Sequence, residues 1–169
     1  SDGHERGTFR MAEHRISKAM KFLDPERLTP LEFELTVKRW FEGFSGSLQS
    51  FHASHREILT GVDGDYEIDV ALRFAVFGGM AIECIVECKK HKNPIKREVI
   101  QALHSRKESL GAHKAIVVSS SSFQSGAVVF AEKHGIALIE LVNGRLAYIQ
   151  ASAVPRERAY PPDADPVVG

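Results

Sequence analysis

The 169-residue sequence predicts an α/β fold in which a mixed β-sheet is flanked by helices. Three observations carry that prediction. Two strongly alternating segments, Tyr66 to Phe74 and Ile82 to Lys90, are joined by a short turn at Phe77-Gly78-Gly79 and read as a β-hairpin. Between Lys114 and Leu141 a strand, a helix and a strand follow one another as a strand-helix-strand crossover. A capped amphipathic helix precedes both units. With 43% apolar residues the chain can bury a genuine core, and its length suits one ordinary domain, read here as residues 29–150. Residues 1–28 read as a polar N-terminal extension with a short helix carrying Ile16, Met20 and Leu23. Residues 151–169, which hold four of the seven prolines, read as a mobile tail.

Each element has a local reason. Thr29-Pro30-Leu31-Glu32 announces the first helix: Thr29 caps, Pro30 takes the first helical position and Glu32 completes a capping box. The helix should end near Gly43, burying Phe33, Val37, Trp40, Phe41 and Phe44, with Glu34 at the edge of that stripe. Ser50 to Leu59 alternates loosely and is a strand candidate, closed by a turn at Gly61-Val62-Asp63-Gly64. After the hairpin, Pro94 to Leu110 reads as a helix with Val99, Ile100, Leu103 and Leu110 inward and Gly111 as its stop. Lys114 to Ser119 is a buried strand. Ser122 or a neighbour caps a helix over 123–134, Ile136 to Leu141 is a further strand, and Leu146 to Ile149 adds an edge strand after Asn143-Gly144.

The side chains fix the hairpin register. A three-residue loop at 77–79 pairs Phe74 with Ile82, Leu72 with Cys84, Val70 with Val86 and Ile68 with Cys88, an apolar ladder on one face. On the other face it sets Arg73 against Glu83 and Glu67 against Lys89, and it brings Asp69 opposite Glu87. A two-residue loop would set charged residues against apolar ones, so an odd loop or an equivalent bulge is expected.

Charge and composition exclude several classes. Lys plus Arg and Asp plus Glu number 22 each, so a uniformly basic coat is ruled out and nucleic-acid affinity must be local. No apolar run approaches a membrane span, and no apolar signal peptide opens the sequence; the expected location is soluble and cytoplasmic. The only cysteines, Cys84 and Cys88, are too far apart along one strand for a disulfide and lack zinc partners, so they read as core residues. The histidines, among them His52, His55, His91 and His104, form no metal or nucleophile pattern. The serines 119–122 fit either a cap or an anion site at a helix N-terminus.

Two facing carboxylates, Asp69 and Glu87, repel unless something positive lies between them, and a divalent cation with hard oxygen ligands answers that need. Lys89, on the same side as Glu87, could neutralise charge developing on a phosphodiester or activate the attacking water. The alternative is a solvated sheet face stitched by salt bridges. Residues 89–114 hold eight Lys or Arg against two Glu, a local charge of +6 in a neutral chain, and that is a phosphate-binding footprint. Lys90, Lys92, Lys96 and Arg97 are its part nearest the carboxylates.

Taken together, Leu31-Glu32-Phe33-Glu34, Glu67-Ile68-Asp69-Val70, Val86-Glu87-Cys88-Lys89, Gln101 and the later Phe123-Gln124-Ser125-Gly126-Ala127 resemble the Mrr-like branch of the PD-(D/E)xK nuclease superfamily, which includes restriction endonucleases. The resemblance covers roughly residues 29–149. It implies a three-layer α/β/α core around a central mixed sheet and a Mg²⁺-dependent endodeoxyribonuclease of restriction or defence type, with Mn²⁺ able to substitute. It also implies Asp69, Glu87 and the backbone carbonyl of Cys88 as metal ligands, Lys89 as the residue acting on water, Glu34 completing the site, and Gln101 orienting phosphate or water. The chain departs from the family at Tyr66-Glu67, where many members have a glycine-rich approach; Glu67 is then either a second ligand or a neutraliser of Lys89. The implied partner is DNA, with RNA still open, together with a homodimer and a DNA-recognition or sensor domain outside these residues. The competing reading is an idle nuclease-like module that only binds nucleic acid or assembles.

Overall fold

A computed structural model describes residues 24–150; the expected helix around Ile16 to Leu23 and the tail from 151 lie outside the described residues. The first helix, α1 (Pro30–Glu42), begins as its sequence requires. The Thr29 hydroxyl accepts the Glu32 N–H at 3.2 Å and the Glu32 carboxylate accepts the Thr29 N–H at 2.8 Å, a reciprocal capping box. Six strands follow among the described residues: β1 (Gln49–Thr60), β2 (Asp65–Val76), β3 (Met80–Lys89), β4 (Lys114–Ser119), β5 (Ala137–Val142) and β6 (Arg145–Gln150). They lie in the sheet in chain order. β3, β4 and β5 run parallel and the other neighbours antiparallel, so the sheet is mixed. Helices α2 (Arg97–Leu110) and α3 (Ser125–His134) make the two crossovers.

The sheet separates two cores. On one face Phe33, Val37 and Phe41 of α1 pack on Val70, Leu72, Cys84, Val86, Cys88 and Val118. On the other, Ile100 and Leu103 of α2 and Ala127 and Ala131 of α3 pack on Ala71, Ile85, Ala115 and Val117. Both faces of β4 are covered, which is why Ala115-Ile116-Val117-Val118 reads as a continuous apolar run rather than an alternating one.

The hairpin has the three-residue loop, with Val70 opposite Val86, Leu72 opposite Cys84, Arg73 opposite Glu83 and Phe74 opposite Ile82. Phe77 and Gly78 both take positive φ (50° and 79°), as so short a connection demands. Two helix starts differ from expectation. α2 begins at Arg97 rather than Pro94, because buried Ile95 is held as a short parallel bridge to Phe123. The same bridge delays α3 to Ser125, with Gln124 at its cap. Ser122 uses its carbonyl to accept the Ile95 N–H at 2.8 Å instead of capping.

A third difference positions the site. Strict alternation would keep Ile68 on the face of Val70, yet Ile68 lies in the opposite core, with Ala71 and Ile85. β1 changes face at the same level: Phe51 and Ala53 pack on the α1 side and Leu59 on the α2 side. At that level Arg56 takes φ 50°, and its place in the register opposite Asp69 is skipped although His55 to Val70 and Glu57 to Ile68 still pair. The left-handed residue interrupts the alternation of β1 without inserting an extra residue, and the faces of both strands exchange at this level.

Candidate active site

Asp69 sits at that exchange, and it interrupts the hairpin ladder. The register of β2 with β3 continues to Val70 and Val86. One step further, the Cys88 N–H, which in an unbroken ladder would donate to Ile68, donates to Asp69 Oδ2 at 2.7 Å. A side-chain carboxylate thus replaces a backbone acceptor, β2 and β3 part, and the expected facing pairs Ile68–Cys88, Asp69–Glu87 and Glu67–Lys89 give way to this arrangement. Burial pushes the Asp69 carboxyl up to about 6; the Cys88 N–H lowers it, the charges of Glu87 and Glu34 raise it and Lys89 lowers it. Of these groups, the Cys88 N–H is the one in hydrogen-bond contact with it.

Glu87 and Lys89 leave β3 on the α2 side, near its carboxyl end, the end of parallel strands where α/β proteins bind ligands. Lys89 Nζ lies 3.0 Å from Glu87 Oε1, and Arg106 of α2 donates to Glu87 Oε2 at 3.0 Å. Between β3 and α2 an open cleft of about 250 Å³ is lined by Glu87, Lys89, Glu98, Val99, Ala102, Leu103 and Arg106.

Glu34 approaches from the other layer. It is buried on α1, where His55 Nε2 is 2.7 Å from its Oε2 and Arg56 Nε donates at 2.9 Å. Burial opposes its charge, but the hydrogen bonds from Arg56 and His55 outweigh that and hold its pKa below the usual range. Glu67 is exposed and lies opposite Ile58 of β1, while the cation near Glu87 is held by Glu87 itself. Gln101 is half-buried on α2, beside Ala102 but outside the residues lining the cleft.

The basic loop has a defined support. His91 N–H donates to Ser120 Oγ and Ser120 Oγ to the His91 carbonyl, each at 3.0 Å, and Ser121 Oγ donates to the Asn93 carbonyl at 2.8 Å. The serine run therefore clasps the segment between β3 and α2. Of the eight basic residues in 89–114, Lys89 and Arg106 are spent on Glu87 and Lys107 on Glu108, and Lys114 is half-buried with its pKa lowered by burial. Lys90 is half-buried and Lys92, Lys96 and Arg97 are exposed, and none of these four pairs with a carboxylate among the described residues.

The sequence reading missed Arg106, Glu98, His55 and Arg56 as parts of this neighbourhood. Glu98, Ala102 and Arg106 recur every fourth residue around a small side chain, a signal for a helix face that fronts a cleft beside the apolar stripe. His55 and Arg56 had no such signal, because their partner Glu34 is reached only once β1 is laid under α1.

A family model described as restriction endonuclease, with an Mrr catalytic domain, matches residues 25–146. The chain belongs to that Mrr restriction endonuclease family. Its sheet with α1 on one face and α2 and α3 on the other is the restriction-endonuclease-like α/β/α core. Among solved structures it is similar to a protein of unknown function, AF1548, with 20% identity and a TM-score of 0.52 over 65% of this chain and 56% of that one. It is also similar to EndoMS in its apo form, with 19% identity and a TM-score of 0.39 over 66% of this chain and 45% of that one. The first is a likeness of fold, and the chain spans about half the length of each. No curated protein matches. Among the described residues no helix is long and apolar enough to cross a membrane.

Proposed function

We propose that this Mrr-family domain, residues 29–150, is a divalent-metal-dependent endonuclease that hydrolyses phosphodiester bonds of DNA, with Asp69, Glu87 and Lys89 as its centre. The observation that carries the reading is the break in the hairpin at Asp69, whose carboxylate accepts the N–H of Cys88, the residue between Glu87 and Lys89, at the point where the β2–β3 pairing ends.

The donor set fits a hard cation such as Mg²⁺ or Mn²⁺. Among the described residues no three His, Cys, Asp or Glu stand together as a ready-made metal cluster, and the set read here is two carboxylates and a backbone carbonyl. That suits an ion that keeps much of its own water. Asp69 and Glu87 would hold it, and the Cys88 carbonyl, which shares the direction of the N–H given to Asp69, would complete the set. When bound, such an ion supplies Lewis-acid polarisation of the phosphodiester. Lys89 neutralises charge developing on the phosphoryl oxygens and positions the attacking water. Glu34, one of the charges felt by Asp69, acts through solvent from the α1 side, and Gln101 orients phosphate or water from α2. Glu67, exposed on the strand leading to Asp69, is at most a peripheral ligand. Lys90, Lys92, Lys96 and Arg97 hold the nucleic-acid backbone, so binding weakens steeply with salt. A homodimer, a separate recognition or sensor domain and a cytoplasmic location accord with this reading.

Incubating the protein with supercoiled plasmid in Mg²⁺ or Mn²⁺ tests it. Nicking or linearisation is expected, and it should disappear with EDTA, Asp69→Ala and Lys89→Ala. Salt-sensitive retardation of the plasmid without cutting under any metal would favour the idle binding module. Glu87, whose carboxylate is already covered by two cations, is the observation that favours that second reading.

A further inference from the structure

We propose that Arg106 is a phosphate-gripping residue of this site, and that its bond to Glu87 is exchanged for a nucleic-acid phosphate when a divalent cation takes Glu87. The inference rests on the reading of Asp69 and Glu87 as cation-binding carboxylates.

Glu87 is a single carboxylate with a cation on each oxygen, Lys89 on Oε1 and Arg106 on Oε2. Its side chain is 12% exposed, so these charges meet with little solvent screening. A divalent ion on the same carboxylate would place like charges together and weaken its hold on the two side chains, most on the one free to move away. Lys89 stands two residues from Glu87 on one face of β3 and is tied to that face by its backbone. Arg106 reaches across from α2, lines the open cleft and is 33% exposed, so it has somewhere to go.

Its surroundings fit a phosphate. The hydrogen bond to Glu87 uses one of five guanidinium N–H groups, and the planar fork matches phosphate oxygens pairwise. The guanidinium carbon lies 6.0 Å from the centre of the Tyr66 ring, a platform that keeps it beside the cleft after release. That platform is fixed: the Tyr66 hydroxyl donates to Asp63 at 2.9 Å, and Ser109, near the end of α2, bonds the same Asp63 oxygen. The exposed bases Lys92, Lys96 and Arg97 precede the cleft on the same connection and first turn of α2. A strand held by them can continue to Arg106.

The test measures binding, not cleavage. The full chain and its Arg106→Ala and Arg106→Lys variants are titrated with Mn²⁺ alone by calorimetry. They are also titrated with a short DNA duplex in EDTA and in Ca²⁺, across a range of salt. For Arg106→Ala we expect Mn²⁺ affinity equal to the wild type or up to about threefold tighter, since a competing cation is gone. DNA affinity should match within about twofold in EDTA and fall about tenfold in Ca²⁺, the loss of one charge-assisted contact. The log–log salt slope should become shallower by about 0.9 in Ca²⁺ only. Arg106→Lys should keep the slope and recover part of the affinity, a point charge without the fork. If Arg106→Ala does not fold, Arg106→Gln carries the same comparison.

Equal weakening of DNA binding in EDTA and Ca²⁺ overturns the exchange, and so does weaker Mn²⁺ binding by the variant, which would make Arg106 a brace for Glu87. Failure of the wild type to bind Mn²⁺ overturns this inference and the metal-site reading together, a pattern distinct from the other two.

Discussion

Two ion clusters leave the same face of β3 four residues apart, and they are built with opposite excess. At Glu83, one cation serves two carboxylates: Arg73 donates to Glu83 at 2.9 Å and grips Glu57 of β1 with two bonds of 2.8 and 2.9 Å. At Glu87, two cations serve one carboxylate, while the nearby Asp69 carboxyl has an amide partner and a raised pKa. In the first cluster Arg73 and Glu83 face each other on the unbroken β2–β3 ladder, and the bonds to Glu57 tie in β1. The second lies where the ladder opens beside a cleft. Like residue types therefore brace the sheet in one place and stand ready for a ligand in the other, and the backbone decides which.

The sharpest way to break this comparison is to neutralise the two glutamates in turn. Glu87→Gln should lower cleavage by about a thousandfold or more, the loss of a ligand and of charge at the reacting centre. Glu83→Gln should leave cleavage within about twofold. Plasmid nicking in Mg²⁺ reads both. Equal losses would mean that the clusters act as one.

The next largest effect is on stability. Because the folded protein holds the Asp69 proton up to about pH 6, against 3.8 ordinarily, ionising Asp69 costs folding free energy as pH rises from about 4 to 6. Asp69→Asn keeps an oxygen for the Cys88 N–H and removes that cost. The metal-free variant should be more stable than the wild type at pH 7, by up to about 3 kcal/mol, and the gain should vanish near pH 4. Urea melts at the two pH values check it, and adding Mn²⁺ should stabilise the wild type alone. A destabilised variant at pH 7 would show that the Asp69 charge is already compensated.

The same contrast explains what the sequence made legible. The hairpin register followed from facing residues, because Arg73 opposite Glu83 and Leu72 opposite Cys84 leave little alternative. Asp69, Glu87 and Lys89 could be picked out because local alternation set them apart from the apolar ladder. The parting of the strands could not be seen, since it depends on a side chain, that of Asp69, taking the Cys88 N–H in place of a backbone acceptor, and the left-handed Arg56 beside it follows from no preference of arginine. Periodicity placed Ile68 with Val70 for the same reason. The helix starts failed at Ile95 and Phe123, whose bridge joins segments 28 residues apart. Arg106 was visible as a charge, but its role depends on which face of α2 meets β3.

The smallest expected effect tests the bracing cluster itself. Arg73→Met removes the shared cation and leaves Glu57 and Glu83 on the same side of the sheet. Arg73 is about one-third exposed, so its pairs are partly screened by solvent, and the loss should be about 1 kcal/mol at low salt, shrinking toward zero in 1 M salt. Hydrogen bonds from Arg73 and Ser54 hold the Glu57 carboxyl below its usual range, so this contribution is present above about pH 4.5 and is lost in acid as Glu57 takes up its proton. Wild type and variant should converge there in denaturant melts. Plasmid cleavage should stay unchanged, because Arg73, Glu57 and Glu83 lie outside the residues lining the cleft. A variant that lost cleavage without losing stability would show instead that the two clusters share one network across β2.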